Sequence, residues 1–283
     1  MKTIYLQSRA VVRFLLFVLF VLAYFLFTIV GSLTTMNSIE RRRRRALVCS
    51  KTCQLVMWAF NIRLTVKNEI TSQEQSLLVG NHIGFIDIIC LQSIQPSIFI
   101  TSLEMKKTPV LGQICDLAGC AYVDRKSRMK IQDELKDIIQ VLKDGFRVVL
   151  YAESVASNGE QVLPFKKTLM MSAALASRPI RPFVFNFKSI NDEPVQFKYR
   201  DSVCWYGDQT FFPAIWRSLQ LDSVSCEIEF LSPVFPTVDE DRTALSQKIH
   251  KMVSEKYIPF VAPTMSTTES TKATGLIQQP GLH

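Results

Sequence analysis

Histidine is scarce in this chain, with three residues in 283. It is the side chain that titrates near neutrality, so a general base of that kind must be His82, His250 or His283. Cysteine is thin as well: seven residues, an odd number, none in a Cys-x-x-Cys pair. That excludes a disulfide scaffold, a zinc ribbon and a thioredoxin-type motif. Gly-x-Ser-x-Gly is missing, which leaves a hydrolase without an elbow nucleophile. There is no internal repeat and no cluster with metal-ligand spacing, so no metal is expected. Acidic residues are nearly missing from the first 67 positions, where Glu40 stands alone against 11 Lys and Arg. The rest of the chain holds 22 basic and 24 acidic residues. Such a chain is not a basic globular domain built for nucleic acid. It is a near-neutral domain behind a strongly basic N-terminal segment. With 48% apolar and 20% charged residues it is no ordinary disordered chain either.

What the N-terminus has is apolar length. Phe14 to Leu33 is an uncharged run of 20 residues, about 30 Å long as a helix and about as thick as a hydrocarbon core. A signal peptide is the alternative, but the run is too long and no small-x-small cleavage site precedes the basic cluster. Arg41 to Arg45 follow, placed to favour the cytoplasmic side and anionic head groups. Lys2, Arg9 and Arg13 on the other flank weaken that orientation. Ala46 to Ile62 is a second apolar segment, interrupted by Lys51. It reads as an interfacial helix or as the return arm of a hairpin, and a return would put both basic flanks on one side.

Beyond residue 67 short β-branched runs alternate with helical segments. Strands are expected at 64–66, 76–79, 97–101, 120–123, 147–151, 181–187 and 225–230. Helices are expected at 86–94, 110–117, 129–142, 168–176, 213–219 and 241–257. The pattern implies an α/β fold: a mixed, largely parallel sheet flanked by helices, behind an N-terminal membrane helix or helical hairpin. In the last strand Cys226, Ile228 and Phe230 alternate with Glu227 and Glu229, which predicts one wet face at or near an edge. The expected organisation is an anchor over 1–67, a catalytic domain over 68–262 and a disordered tail over 263–283.

His283 ends that tail, and His250 lies between Lys248 and Lys251 on the last helix as a surface residue. His82 differs. It follows Leu77-Leu78-Val79-Gly80, where a buried strand ends, and functional groups of α/β sheets gather beyond strand carboxyl ends. Asp87 comes five residues later. On one helix the two would point about 140° apart. Across a strand-turn-helix, with Gly84 permitting the turn, they can face each other. A carboxylate on one imidazole nitrogen fixes the tautomer and leaves the other nitrogen as a base. A capping Asp beside an incidental His is the alternative reading of the same spacing.

Asn81-His82-x-x-x-x-Asp87 resembles the first motif of the glycerophospholipid acyltransferase family. Further blocks follow in order. Glu104, Pro109 and Gly112, then Gly119-Cys120-Ala121-Tyr122-Val123-Asp124-Arg125, resemble the second. Tyr151-Ala152-Glu153-Ser154-Val155 occupies the place of a Phe-Pro-Glu-Gly-Thr block, and Ile180-Arg181-Pro182 resembles the final proline block. The resemblance covers about 120 residues, roughly 80 to 200, a specificity that the His/Asp pair alone lacks.

The resemblance implies acyl transfer from acyl-CoA or acyl-carrier protein to the free hydroxyl of a lysolipid, with no cofactor. His82 would take the hydroxyl proton and Asp87 would orient it. Glu104, Arg125, Glu153, Ser154 and Pro182 would serve substrate binding. Arg125 suits a phosphate, because guanidinium geometry binds one bidentately; a surface ion pair with Asp124 is its alternative. The expected reaction acylates 1-acyl-sn-glycerol 3-phosphate to phosphatidic acid, at the cytoplasmic face of a bacterial-type inner membrane.

Three departures bear on the acceptor. Ser154-Val155 replaces Gly-Thr, Ala152 replaces Pro, and Ser102 stands where the family often has Lys. Lys106, Lys107, Lys166 and Lys167 are candidate replacements for that cation. The aromatic stretch Trp205-Tyr206, Phe211, Phe212 and Trp216 reads as core or as an interfacial belt. It also resembles a segment of family members that acylate lyso-ornithine lipid, which makes that lipid the alternative acceptor. A non-catalytic membrane lipid-binding protein is the alternative from another class.

Overall fold

The computed structural model describes residues 2–35, 37–124 and 131–262. The expected tail over 263–283 lies outside them. The chain opens with a helical hairpin. Helix α1 (Lys2–Leu33) leads through a short turn to α2 (Ser38–Phe60). Asn37 starts α2, its side chain accepting the amides of Ile39 and Glu40. Arg41–Arg45 therefore sit inside the first turns of α2 rather than between two apolar segments. Phe17 meets Phe60 at 5.9 Å, and Arg45 reaches Ser32 at 2.9 Å, so the helices run antiparallel. The second apolar segment is the return arm.

The hairpin is tied to the domain at several points. Arg13 donates to the carbonyls of Leu219 and Asp222, both at 3.2 Å, while Arg9 pairs with Asp222. Phe14 meets Trp216 edge-on at 6.1 Å. Tyr24 donates to the Ile114 carbonyl at 3.0 Å. Near the hairpin turn Arg42 packs over Gly119, and Arg43 lies over the Phe146 ring. One side of α1 stays bare: Leu15, Leu19, Leu22 and Leu26 are each 57–62% exposed.

Strand β1 (Ile62–Lys67) follows α2 directly. The remaining elements are β2 (Leu77–Gly80), α3 (Phe85–Ile94), β3 (Ile98–Ser102), α4 (Leu103–Lys106), α5 (Leu111–Ala118), β4 (Ala121–Val123), α6 (Ile131–Lys143), β5 (Val148–Tyr151), α7 (Met171–Leu175), β6 (Ile180–Ile190), β7 (Glu193–Pro194), α8 (Arg200–Val203), α9 (Phe211–Leu219), β8 (Val224–Phe230) and α10 (Arg242–Ser254). The sheet order is β1-β8-β6-β2-β5-β3-β4, with β7 paired to β6. The β6–β8 and β6–β7 pairs are antiparallel; the other pairs are parallel. The sheet is thus mixed and largely parallel. β1 pairs with β8, so the final residues of the 1–67 segment form one edge of the sheet.

Alternation along the central strands sends side chains to two cores. Leu78, Val149, Phe183 and Phe185 pack toward α2, α3 and α9. Leu77, Val79, Val148 and Leu150 pack toward α6, α7 and α10. Full burial of each such side chain is worth about 1.5–3 kcal/mol, which holds β2 and β5 firmly in the middle of the sheet. The predicted wet face of the last strand needs correction. β8 lies one strand in from the edge, and Glu227 is 7% exposed. Lys67 at 2.9 Å and Lys188 at 3.8 Å make that burial tolerable. At Glu227 the polar alternation reflects paired charge rather than water, while Ser225 and Glu229 stay half-buried.

Candidate active site

β2 is central, and its carboxyl end is fixed before any catalytic side chain appears. Asn81, 1% exposed, donates to the Phe185 carbonyl at 3.0 Å and accepts the Phe185 amide at 2.8 Å. That double bond to β6 sets where the chain leaves the sheet. The next residue is His82.

His82 and Asp87 meet. Nδ1 lies 3.1 and 3.2 Å from the two carboxylate oxygens. Asp87, in the first turn of α3, also accepts the Ile83 amide at 2.6 Å and the Gly84 amide at 2.8 Å. A carboxylate is favoured at that helix end. Its backbone bonds clamp the strand-turn-helix into the shape that brings the i,i+5 pair together. The same bonds commit the Ile83 and Gly84 amides, so neither is free to stabilise an oxyanion. With Nδ1 on Asp87, Nε2 is the nitrogen left for chemistry.

Gly84 does permit the turn, but not through its dihedrals, since its φ of 168° is extended backbone. Space is the constraint. A Cβ would stand 2.9 Å from the Trp205 amide nitrogen and 3.2 Å from Trp205 Cβ. That segment crosses the turn and donates from the Trp205 amide to the Ile83 carbonyl at 3.0 Å. Gly84→Ala is expected to destabilise the fold by about 1–3 kcal/mol, the usual cost of overpacking. An unchanged melting temperature would show that the crossing segment yields freely.

The end of β5 supports His82 from the other side. Tyr151 pairs in register with Gly80, and its ring stacks on the imidazole, centroids 4.2 Å apart and planes 16° from parallel. Its hydroxyl is buried beside the Asp87 carboxylate. Burial, with the Asp87 carboxylate alongside, pushes the phenol well above its ordinary range. Glu153 is 3% exposed. One oxygen accepts the His82 amide at 2.7 Å and the other the Leu163 amide at 2.9 Å. Burial lifts its pKa to about 8, against the opposing pull of those two amides. Both oxygens of this expected acceptor-site residue are thus on backbone. The Ser157 amide, in turn, donates to the His82 carbonyl at 2.8 Å.

Ser154 follows with φ of 67°, in the left-handed region. The block it resembles has glycine there, so the lost glycine has a conformational cost of about 1 kcal/mol. Ser154→Gly is expected to raise the melting temperature accordingly. A fall would mean that the hydroxyl contributes more than the strain costs.

The other expected site residues scatter. Pro182 is buried in β6 opposite Val79, inside the sheet, where its carbonyl accepts the Leu231 amide at 2.8 Å. Glu104 lies in α4 on the far side of β3. Arg125 lies outside the described residues. Ser102 caps α4, its hydroxyl accepting the Met105 amide at 3.2 Å. Lys106 stands over the Tyr122 ring of β4 at 4.7 Å, two strands from β5. Lys167 is turned to Thr243. His250 is half-buried, 5.1 Å from Phe165 and edge-on, rather than a surface residue. The aromatic stretch packs inward at Trp205 and Phe211, where Phe211 meets Phe85 at 5.9 Å, while Phe212 is 63% exposed. Asn81 and Tyr151 carried no role in the sequence reading. Both stand inside motif blocks, beside strand ends, and those were their signals. Among the described residues, no group of three or more His, Cys, Asp and Glu could hold a metal ion.

Comparison with known proteins supplies the context. A family model described as Acyltransferase matches residues 61–186. A protein from Brucella abortus named lyso-ornithine lipid O-acyltransferase is 28% identical over 207 residues, 71% of this chain and 78% of that one. A protein from Neisseria meningitidis named 1-acyl-sn-glycerol-3-phosphate acyltransferase is 29% identical over 199 residues, 70% of this chain and 76% of that one. The crystal structure of the Thermotoga maritima 1-acyl-sn-glycerophosphate acyltransferase PlsC superposes with a TM-score of 0.66 over 90% of this chain and 95% of that one, at 16% identity. That last likeness is one of fold.

Proposed function

We propose, from this chain's membership of the glycerophospholipid acyltransferase family, that it is a membrane-associated O-acyltransferase for 1-acyl-sn-glycerol 3-phosphate. One observation carries the reading: an imidazole at the carboxyl end of a central strand, with Nδ1 on a buried carboxylate and Nε2 left over. Nε2 takes the proton of the lysolipid hydroxyl as that oxygen attacks the acyl thioester carbonyl. The tetrahedral intermediate collapses, and the thiol of CoA or of carrier protein leaves with the proton returned by the imidazolium. Asp87 holds the ring and stabilises the imidazolium between those steps.

The hairpin supplies the membrane surface in this reading. α1 is long and apolar enough to cross a bilayer by length and composition. Its ties at Arg9, Arg13, Tyr24 and the α2 arginines run along most of its length. A helix fastened in this way offers one bare apolar face to lipid. We place that face on the cytoplasmic leaflet of a bacterial inner membrane, where an arginine run meets anionic head groups.

A second acceptor has an observation of its own. Ser102 spends its hydroxyl on a helix cap where a phosphate-pairing lysine was expected, which favours lyso-ornithine lipid. The deciding assay offers labelled acyl-CoA with lysophosphatidic acid or lyso-ornithine lipid to membranes carrying the wild-type chain or His82→Ala. Transfer to lysophosphatidic acid that the substitution abolishes is the expected result. Transfer to lyso-ornithine lipid alone would change the acceptor. Failure with both, and again with acyl-carrier protein as donor, would leave a lipid-binding protein.

A further inference from the structure

Most of what holds His82 in place comes from a neighbouring strand rather than from its own motif. Asp87 restrains the imidazole at one edge only. Rotation about an axis through Nδ1 would keep that hydrogen bond while swinging Nε2 out of line. The face of the ring is what remains to be held, and the backbone that carries it must not shift.

Both restraints come from the end of β5. Tyr151 ends β5, and Glu153 lies in the turn two residues on. Tyr151 lays its ring flat on the imidazole at 4.2 Å and 16°, just below the close end of the usual 4.5–7 Å spread of aromatic pairs. The tyrosine itself has no play. Phe183 stands edge-on at 6.0 Å and Phe99 lies tilted at 6.2 Å, and Tyr151 is 9% exposed. Glu153 grips the amide of the same histidine and joins it to Leu163. β5 pairs with β2 in register through Gly80 and Tyr151, so the clamp and the histidine belong to one rigid ladder.

We infer that Tyr151 and Glu153 are positioning residues: the Tyr151 ring fixes the plane of the His82 imidazole and Glu153 fixes its backbone, so that Nε2 points along one direction while Asp87 holds Nδ1. The inference rests on the reading of His82 as the base, and it assigns Glu153 to the histidine instead of the acceptor. Tyr151 meets the imidazole through its ring face and Glu153 meets only the His82 backbone amide, so neither moves a proton in the reaction. The clamp is made by the face of the tyrosine ring and not by its hydroxyl, which lies beside the Asp87 carboxylate. Phenylalanine should therefore serve equally well.

The test needs a readout besides turnover. Full-length protein in detergent is treated with diethyl pyrocarbonate, and carbethoxylation of the His82 peptide is followed by mass spectrometry, with the His250 peptide as internal reference. Tyr151→Phe is expected to match wild type within twofold in both modification rate and kcat. Tyr151→Leu, or Tyr151→Met where leucine fails to fold, is expected to change the His82 rate at least fivefold. It should lower kcat roughly 10–100-fold with KM within twofold, the cost of a misplaced group. Glu153→Ala removes the acceptor of the His82 amide and should behave as Tyr151→Leu. An unchanged His82 rate in the leucine and methionine variants would overturn the clamp. So would a phenylalanine variant as impaired as leucine, or a loss confined to KM. Altered modification in proteins that transfer no acyl group at all would leave the clamp standing and remove the acyltransferase reading.

Discussion

Replacing His82 by alanine is expected to lower kcat for acyl transfer by roughly 10²–10⁴-fold, the range that a positioned general base contributes. KM for both substrates should hardly move, because nothing in the proposed role has the imidazole bind the ground state. Asp87→Asn should be of similar size. Its amide can still bond an imidazole nitrogen, but donation from the NH₂ group would select the wrong tautomer and place the proton on Nε2. Asp87→Ala should add a structural defect that asparagine avoids. It removes the acceptor of the Ile83 and Gly84 amides, and bonds to a charged group are each worth about 1.5–3 kcal/mol. Steady-state kinetics with a labelled acyl donor, paired with melting curves, separate the two effects. If the His82→Ala protein kept more than a tenth of wild-type kcat, another group would have to be the base.

Glu153→Gln should change how stability depends on pH. Burial raises the Glu153 pKa from an ordinary 4.5 to about 8. Between those values the folded protein holds a proton that the unfolded chain has released. The stabilising contribution is therefore full below about pH 4.5 and is lost as pH climbs through 8. A window of this width corresponds to about 5 kcal/mol by linkage. Glutamine cannot titrate, so the variant should escape the decline. At pH 8.5 it should melt roughly 10 °C above wild type, at the usual few degrees per kcal/mol for a domain of this size. The two should converge near pH 5. The pH dependence of the difference is the signature, because other titrating groups are common to both proteins. Parallel curves for the two proteins would mean that Glu153 is ionised in the fold and held by its two amides.

Much of the architecture was legible in the chain. The apolar runs at Leu77–Val79 and Val148–Leu150 announced buried parallel strands because both of their faces are covered. The alternation with helical segments announced a layered α/β domain. Local signals failed where pairing partners were distant in sequence. Glu227 looked wet because its lysines, Lys67 and Lys188, come from other strands. Gly84 looked conformational because nothing in its neighbourhood names Trp205 as the backbone that crosses it.

The sequence by itself determined that His82 was the candidate base, that Asp87 could reach it through a turn, and that an apolar, basic segment would lead the chain to lipid. Those properties depend on residue scarcity, short spacing and run length, which the chain carries locally. Only the tertiary structure decided what holds the base in place. Asn81 is fixed by Phe185, 104 residues away, Tyr151 lies on the imidazole, and the Glu153 carboxyl goes to the His82 amide rather than outward. Tertiary contacts also laid α1 along the domain instead of leaving it free. Each of these depends on strand order, since β2 lies between β5 and β6, and strand order is set by packing among residues far apart in the chain.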